Sequence, residues 1–193
     1  GVGLDTVESD PNLAVVPVGF LTTFGVPILD REGTVVPALA HREVRQAMSL
    51  AVDREAFIEA VAFGRGVPSI QPAPPGHWAH NDELDEQIVY DPDRARELLA
   101  EAGFADGFGF TIATIPPFQT NIEVLGEFWR DIGIEVTLEP IEPGTLAGRS
   151  RTTDFPVTML NWVTGTDMSL YAPTYLTADA TFNPFGAAAG SLM

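Results

Sequence analysis

The stretch that decides the fold is "YDPDRARELLAEAGF", residues 90–104, which predicts a helix with its own start and stop. Asp91 can cap the first turn, and Pro92 suits the first helical position because an N–H there would lack a partner anyway. Gly103 stands where a left-handed terminator is needed. The apolar positions recur at i, i+3, i+4 and i+7, so one face should be buried: Ala95, Leu98, Leu99 and Ala102. The stretch has no catalytic partner, and its role is structural.

A second strong helical pattern covers residues 41–63, "HREVRQAMSLAVDREAFIEAVAF". Asp53 is a good N-cap in the middle of it, so we expect two helices or one sharply bent helix. Each half carries an apolar stripe at helical spacing, which predicts a buried face on both. The stripes are Val44, Ala47, Met48 and Ala51, then Ala56, Phe57, Ala60 and Val61.

The remaining segments alternate between strand and helix patterns. Strands are predicted at residues 13–20, 21–29, 108–115, 134–141 and 155–162, and further helices at 121–133, 143–151 and 169–176. This order favours one α/β lobe over residues 1–193, with a mixed sheet flanked by helices. Four prolines make residues 67–90 a long surface loop, and residues 180–193 lack periodicity and are expected to fray.

The composition excludes several classes of partner. The 193 residues are 45% apolar, which is enough for a core, and they carry 27 acidic side chains against 10 arginines and no lysine. A net charge of −17 repels nucleic acid and anionic membranes. With no cysteine, thiolate chemistry is excluded. The chain begins at Gly1 rather than methionine, so we expect a processed piece of a longer protein.

The sequence gives little support to an enzyme. His77 and His80 are spaced like a metal pair, with Asp82 and Glu83 nearby, but they lie in the proline-rich loop and a solvated loop is favoured. The glycines at 103, 107 and 109 follow a helix and precede a strand, the reverse of the dinucleotide pattern. We therefore predict no catalytic residues, no metal and no cofactor.

One stretch, "LNWVTGTDMSLY" at residues 160–171, has the character of a binding site. A strand ends near Trp162, and ligands of open α/β sheets lie beyond the carboxyl ends of strands. The candidate ligand-binding residues are Trp162, Asp167, Thr164, Thr166 and Tyr171. Two interpretations stay open: a ligand site, or a core tryptophan followed by Asp167 as a helix N-cap.

The order of these segments resembles the family-5 extracellular solute-binding proteins of ABC importers, the dipeptide, oligopeptide and nickel group. "REVRQAMSLAVDREAFIEAV" is similar to that family's hallmark helix, and "YDPDRARELLAEAGF" to its Tyr-Asp-Pro motif. "FWRDIGIEVTLEPIEPGTL" and "DFPVTMLNW" follow in family order. The resemblance runs from about Asn12 to Tyr175 and implies a type II periplasmic-binding-protein-like fold. Family members have two lobes, and this sequence resembles the second, so we expect a fragment that lacks the first lobe.

The resemblance implies capture of a solute between the lobes by hinge closure, then delivery to a membrane permease. It also implies a periplasmic or extracellular protein, with a lipid anchor as one option at full length. A short peptide or similar polar solute is the expected ligand. However, peptide-binding members usually carry an Asp three residues after the tryptophan, where this chain has Gly165. Nickel complexes, sugars and opines therefore stay open, as does a non-transporting interaction or sensor module that reuses the fold.

Overall fold

The computed structural model describes residues 7, 9–14, 22–71, 73–87, 89–149, 152 and 155–163. For residues 22, 146, 147 and 160–163 it describes the backbone alone. The strands are β1 (Thr22–Gly25), β2 (Phe108–Thr114), β3 (Ile134–Pro140) and β4 (Leu160–Val163). The helices are α1 (Arg42–Leu50), α2 (Arg54–Ala62), α3 (Asp82–Asp85), α4 (Pro92–Glu101), α5 (Gln119–Arg130) and α6 (Pro143–Arg149).

The strands form a mixed arrangement, as the sequence predicts. β2 and β3 pair in parallel, from Phe108 opposite Ile134 onward, with α5 as the crossover between them. β1 and β4 pair antiparallel. Val157 joins the two pairs, because it bridges Ile28 in the antiparallel sense and Ile112 in the parallel sense.

Three elements meet at the C-terminal end of α1. The last carbonyls of a helix have no partner within it, so other groups must satisfy them. The Trp129 indole of α5 donates to the Met48 oxygen at 2.9 Å. The Arg54 guanidinium of α2 donates to the Ser49 oxygen at 3.2 Å. The backbone N–H of Asp91, the N-cap of α4, donates to Leu50 at 2.9 Å.

The predicted helix starts and stops are confirmed. The Asp91 carboxylate accepts from the Arg94 N–H at 2.9 Å, and Gly103 has a φ of +87° after α4. The Asp53 carboxylate accepts from the Ala56 N–H at 3.0 Å, so the region of residues 41–63 is two helices, α1 and α2. Buried faces of α1, α4 and α5 pack with β2 and β3 into one hydrophobic core.

Other predictions change in detail. Residues 13 and 14 are not in a strand, and residues 15–20 lie outside the described residues. The strand predicted at 21–29 is reduced to β1 because Pro27 interrupts it, although Ile28 still makes a bridge. The long loop at 67–90 contains the short helix α3. The predicted helix at 169–176 and the tail at 180–193 lie outside the described residues.

Candidate functional site

The strand that carries the sequence-predicted site is β4, and it lies beside β1. In this antiparallel pair Trp162 is the register partner of Thr23. The structure thus positions the backbone of Trp162 but not its side chain. The other four candidates, Thr164, Thr166, Asp167 and Tyr171, lie outside the described residues.

A cavity of about 590 Å³ adjoins the other strand of this pair. Thr23, Phe24 and Gly25 of β1 line it, and Thr23 is the residue opposite Trp162. The other walls come from α1, α2, one face along the length of α5, and the loop at residues 65–75. This volume lies in the range of small-molecule sites, so the cavity is a candidate solute pocket.

Helix α2 lines this cavity, and its Phe57 also packs, partly buried, against the hydrophobic core. The sequence predicts a buried stripe on α2, but none of its nine residues is buried. Its residues Phe57, Ile58 and Val61 line the cavity instead, and Phe57 stacks on Phe24 with ring centroids 5.8 Å apart. A partly exposed apolar face beside a cavity suits the apolar part of a ligand. The prediction of a buried face on α2 is therefore wrong.

The charge around the cavity is opposite to that of the whole chain. Arg45, Arg54 and Arg65 line it, whereas no Asp or Glu occurs among the described residues of its wall. Three of the chain's 10 basic residues thus collect at one place in a protein with 27 acidic ones. Such a concave wall of one sign concentrates ligands of the opposite sign.

Two of these guanidinium groups are held by neutral oxygens. Arg45 donates to the carbonyls of Leu39 and Ala40 at 2.8 and 3.0 Å. Arg54 donates to the carbonyl and the hydroxyl of Ser49, and burial lowers its pKa. A guanidinium stays charged even with a lowered pKa. Neither forms an ion pair with a carboxylate in the described part of the chain, so their positive charge is available to an anionic group.

The proline-rich loop that closes one side of the cavity is held by Gln71. Its side-chain amide donates to the Asn81 carbonyl at 2.9 Å and accepts from the Asn81 N–H at 2.9 Å. It also donates to the Asp85 carboxylate at 3.0 Å. Because Pro74 and Pro75 line the cavity, this cross-link fixes the position of that wall.

His80 in the same loop is not solvated, contrary to the sequence interpretation. Its side chain is 4% exposed and lies between the Ala73 carbonyl and the Asp85 carboxylate, each 2.9 Å from a ring nitrogen. The hydrogen bond to Ala73 raises the pKa of His80 most; burial opposes this, and Asp85 and Asp82 add to the rise. The sequence places His77 in a pair with His80, but the structure groups His80 with Asp82 and Asp85.

The arginines and the cavity itself are what sequence inspection missed. Arg45 and Arg54 stand in helices whose apolar spacing dominates the pattern, and their tertiary neighbours are not encoded in that spacing. The weak amphipathicity of α2 compared with α1 is the one sign of its different surroundings in the sequence.

Comparison with known proteins identifies the family. Residues 4–183 match the family described as bacterial extracellular solute-binding proteins, family 5 Middle. The chain belongs to this family. It is 31% identical over 172 residues to Di/tripeptide-binding protein 1 of Pseudomonas aeruginosa (strain UCBPP-PA14), covering 82% of this chain and 30% of that protein. It is 32% identical over 153 residues to Heme-binding protein A of Haemophilus influenzae (strain Rd), covering 71% and 28%.

A solved structure supports the fold. The DppA periplasmic binding protein of Helicobacter pylori, in complex with the peptide STSA, matches with a TM-score of 0.81 at 24% identity. The match covers 95% of this chain and 36% of that one. This family-5 chain therefore has the expected α/β binding-protein fold and spans less than a third of the length of the two curated relatives.

The family and these relatives are binding proteins rather than enzymes by their descriptions. In the part of the chain that the structure describes, every helix is too short or too polar to cross a bilayer.

Proposed function

We propose that this chain is the second lobe of an exported solute-binding protein that serves an ABC importer. The solute would be held between this lobe and the first lobe, and the closed complex would deliver it to the membrane permease. The observation that carries the proposal is the family match over residues 4–183, together with 31% identity to a di/tripeptide-binding protein. A periplasmic or extracellular location, with or without a lipid anchor, follows from the same assignment.

The ligand we propose is a short peptide or a similar polar solute. Its carboxylate would lie toward Arg45 and Arg54, because these cations line the cavity and lack carboxylate partners in the described chain. Its apolar side chain would contact Phe24 and Phe57. Such a site combines apolar walls with a few fixed polar groups, as small-molecule pockets do.

The residues that follow β4 would supply the opposite charge. Asp167 would bond the amino group of the solute, and Trp162 would give a flat apolar wall. Thr164, Thr166 and Tyr171 are further candidates for hydrogen bonds. This placement rests on the pairing of Trp162 with the cavity-lining Thr23. No catalytic residue is proposed, because capture and release need no covalent chemistry.

Native mass spectrometry of the full-length parent protein, purified without denaturation, tests the proposal. We expect a co-purified ligand of a few hundred daltons whose fragments identify it as a peptide. Asp167→Ala should lose this mass, whereas Asp106→Ala, an exposed control on the loop before β2, should keep it. If the bound mass is heme instead, the proposed ligand would change from a peptide to heme, the ligand in the name of the Haemophilus relative. An empty spectrum with no thermal shift by peptides would favour the non-transporting module.

A further inference from the structure

In the neutral form of the His80 ring, its orientation leaves one nitrogen without a hydrogen to donate. Nδ1 lies 2.9 Å from the Ala73 carbonyl oxygen, and a carbonyl can only accept. Nδ1 therefore carries the proton, and in the neutral ring Nε2 presents a lone pair. The side chain is 4% exposed, so water cannot freely satisfy that lone pair.

Two carboxylates face the same nitrogen. Nε2 lies 2.9 Å from Oδ2 of Asp85 and 3.3 Å from Oδ1 of Asp82. Ionised carboxylates also only accept, so three acceptor atoms converge, all within 4.8 Å of one another. Convergent acceptors repel unless a cation lies between them. This cation is either a proton on Nε2 or a metal ion.

The distances from Nε2 to the two carboxylate oxygens suit a small divalent ion. Tetrahedral zinc, with bonds of about 2.0–2.2 Å to nitrogen and oxygen, separates neighbouring ligand atoms by roughly 3.3–3.6 Å. The observed separations of 2.9 and 3.3 Å need only small side-chain movements to match. The Asp82 side chain is 99% exposed, so a water molecule can complete the coordination from the solvent side.

The groups around these three side chains resemble the outer shell of a metal site. Histidines that bind metals usually donate their other N–H to a carbonyl or a carboxylate, and ligating carboxylates are themselves hydrogen-bonded. The Ala73 carbonyl accepts this hydrogen bond from Nδ1 of His80, and the Gln71 amide donates to Oδ1 of Asp85 at 3.0 Å. The ring and one carboxylate are thus oriented before any ion binds.

We propose that His80, Asp82 and Asp85 bind a divalent transition-metal ion, for which zinc is the probe. The mixed nitrogen and oxygen donors favour zinc over magnesium, which prefers oxygen ligands alone. The ion would join residue 80 to α3 and so tighten the loop between Gln71 and Asp85. Since Gln71 and Pro74 also line the cavity, zinc would stiffen one of its walls. Zinc binding by these three residues does not depend on the proposed solute and can be tested without it.

The test is isothermal titration of the metal-stripped chain with zinc chloride at pH 7.5, with magnesium chloride in parallel. We expect one zinc per chain, and magnesium binding weaker by at least about tenfold. Asp82→Asn decides the assignment, because this exposed side chain can be changed without disturbing the fold. It should weaken zinc binding at least about tenfold, as should His80→Gln.

His77→Gln is the matched control, because this histidine lies in the same loop outside the cluster. It should bind zinc like the parent chain. The proposal is overturned if zinc does not saturate the chain, which would leave a proton as the only cation at Nε2. It is also overturned if magnesium binds equally well, or if His77→Gln loses as much affinity as Asp82→Asn.

Discussion

The indole Nε1 of Trp129 donates a hydrogen bond to the main-chain oxygen of Met48, 2.9 Å away and 81 positions earlier in the chain. Both residues are buried, and the bond satisfies a carbonyl near the end of α1 that has no partner within the helix. It joins α5 to α1 beneath the cavity, which both residues line. The same two side chains therefore belong to the core and to the candidate pocket.

Trp129→Phe should destabilise the protein by about 1–3 kcal/mol. A phenyl ring keeps part of the apolar contact, but the buried Met48 oxygen loses its donor, and an unsatisfied buried group costs about that much. Urea unfolding followed by circular dichroism measures the change. Trp78→Phe is the control, because Trp78 is 75% exposed and should shift the free energy of unfolding by under about 0.5 kcal/mol. Equal effects of the two changes would contradict the role of the hydrogen bond.

Gly107→Ala should destabilise the protein more than Gly103→Ala. Both glycines have positive φ, +78° and +87°, so an added Cβ costs about 1–2 kcal/mol at either position. At Gly107 the Cβ would also overlap the carbonyl oxygen of Gly133, whereas at Gly103 it would meet no atom within 4 Å. Unfolding midpoints of the two variants give the comparison. A smaller loss at Gly107 would show that the approach of these two loops is not tight.

The sequence predicted local structure well because the determining groups are close along the chain. The N-caps Asp53 and Asp91 bond to residues three positions later, and Gly103 ends its own helix. The mixed order of strands follows from α5 as a crossover between β2 and β3. These features need no knowledge of distant neighbours.

The cavity and the His80 cluster could not be predicted, because each depends on side chains from separate elements. Apart from its weaker amphipathicity, the apolar stripe of α2 gives no sign of whether a core or a cavity faces it. His80 was expected in solvent because its loop is rich in proline, yet Gln71 folds that loop back through Asn81 and buries the ring. The predicted residues beyond Val163 lie outside the described part of the chain, so they remain predictions.

Asp30 should make stability fall in acid. This buried carboxylate accepts from the N–H groups of Thr34, Val35 and Val36 and from the Thr34 hydroxyl, each at 2.8 Å. Burial alone would raise the pKa of Asp30, but these hydrogen bonds outweigh it and lower the pKa below 3.8. The stabilisation is therefore fully present above about pH 3.8 and is lost as the pH falls through the folded-state pKa.

Asp30→Asn tests this dependence. An amide cannot accept all four hydrogen bonds, so the variant should lose about 1–3 kcal/mol at pH 7. The difference in free energy of unfolding between the variant and the parent should shrink as the pH falls below about 3.8. The parent itself loses the stabilisation from the Asp30 carboxylate in that range. Urea unfolding at pH 7, 5 and 3 gives the two curves. Glu32→Gln, an exposed neighbour, should follow the parent throughout. A deficit that does not change with pH would exclude the carboxylate charge as its source.

Phe57→Ala should separate the cavity's role in binding from its role in stability. Phe57 lies on α2, lines the cavity and is only partly buried, so its removal should cost well under the 3–5 kcal/mol typical of a core phenylalanine. Phe155→Ala, at a side chain that is 1% exposed, is the matched core change and should cost about that full amount.

In the full-length protein, Phe57→Ala should weaken solute binding by about tenfold, since a large contact in the pocket is lost. Calorimetry with the co-purified solute measures affinity, and urea unfolding measures stability. Unchanged affinity with lowered stability would assign α2 to the structure alone and place the solute elsewhere.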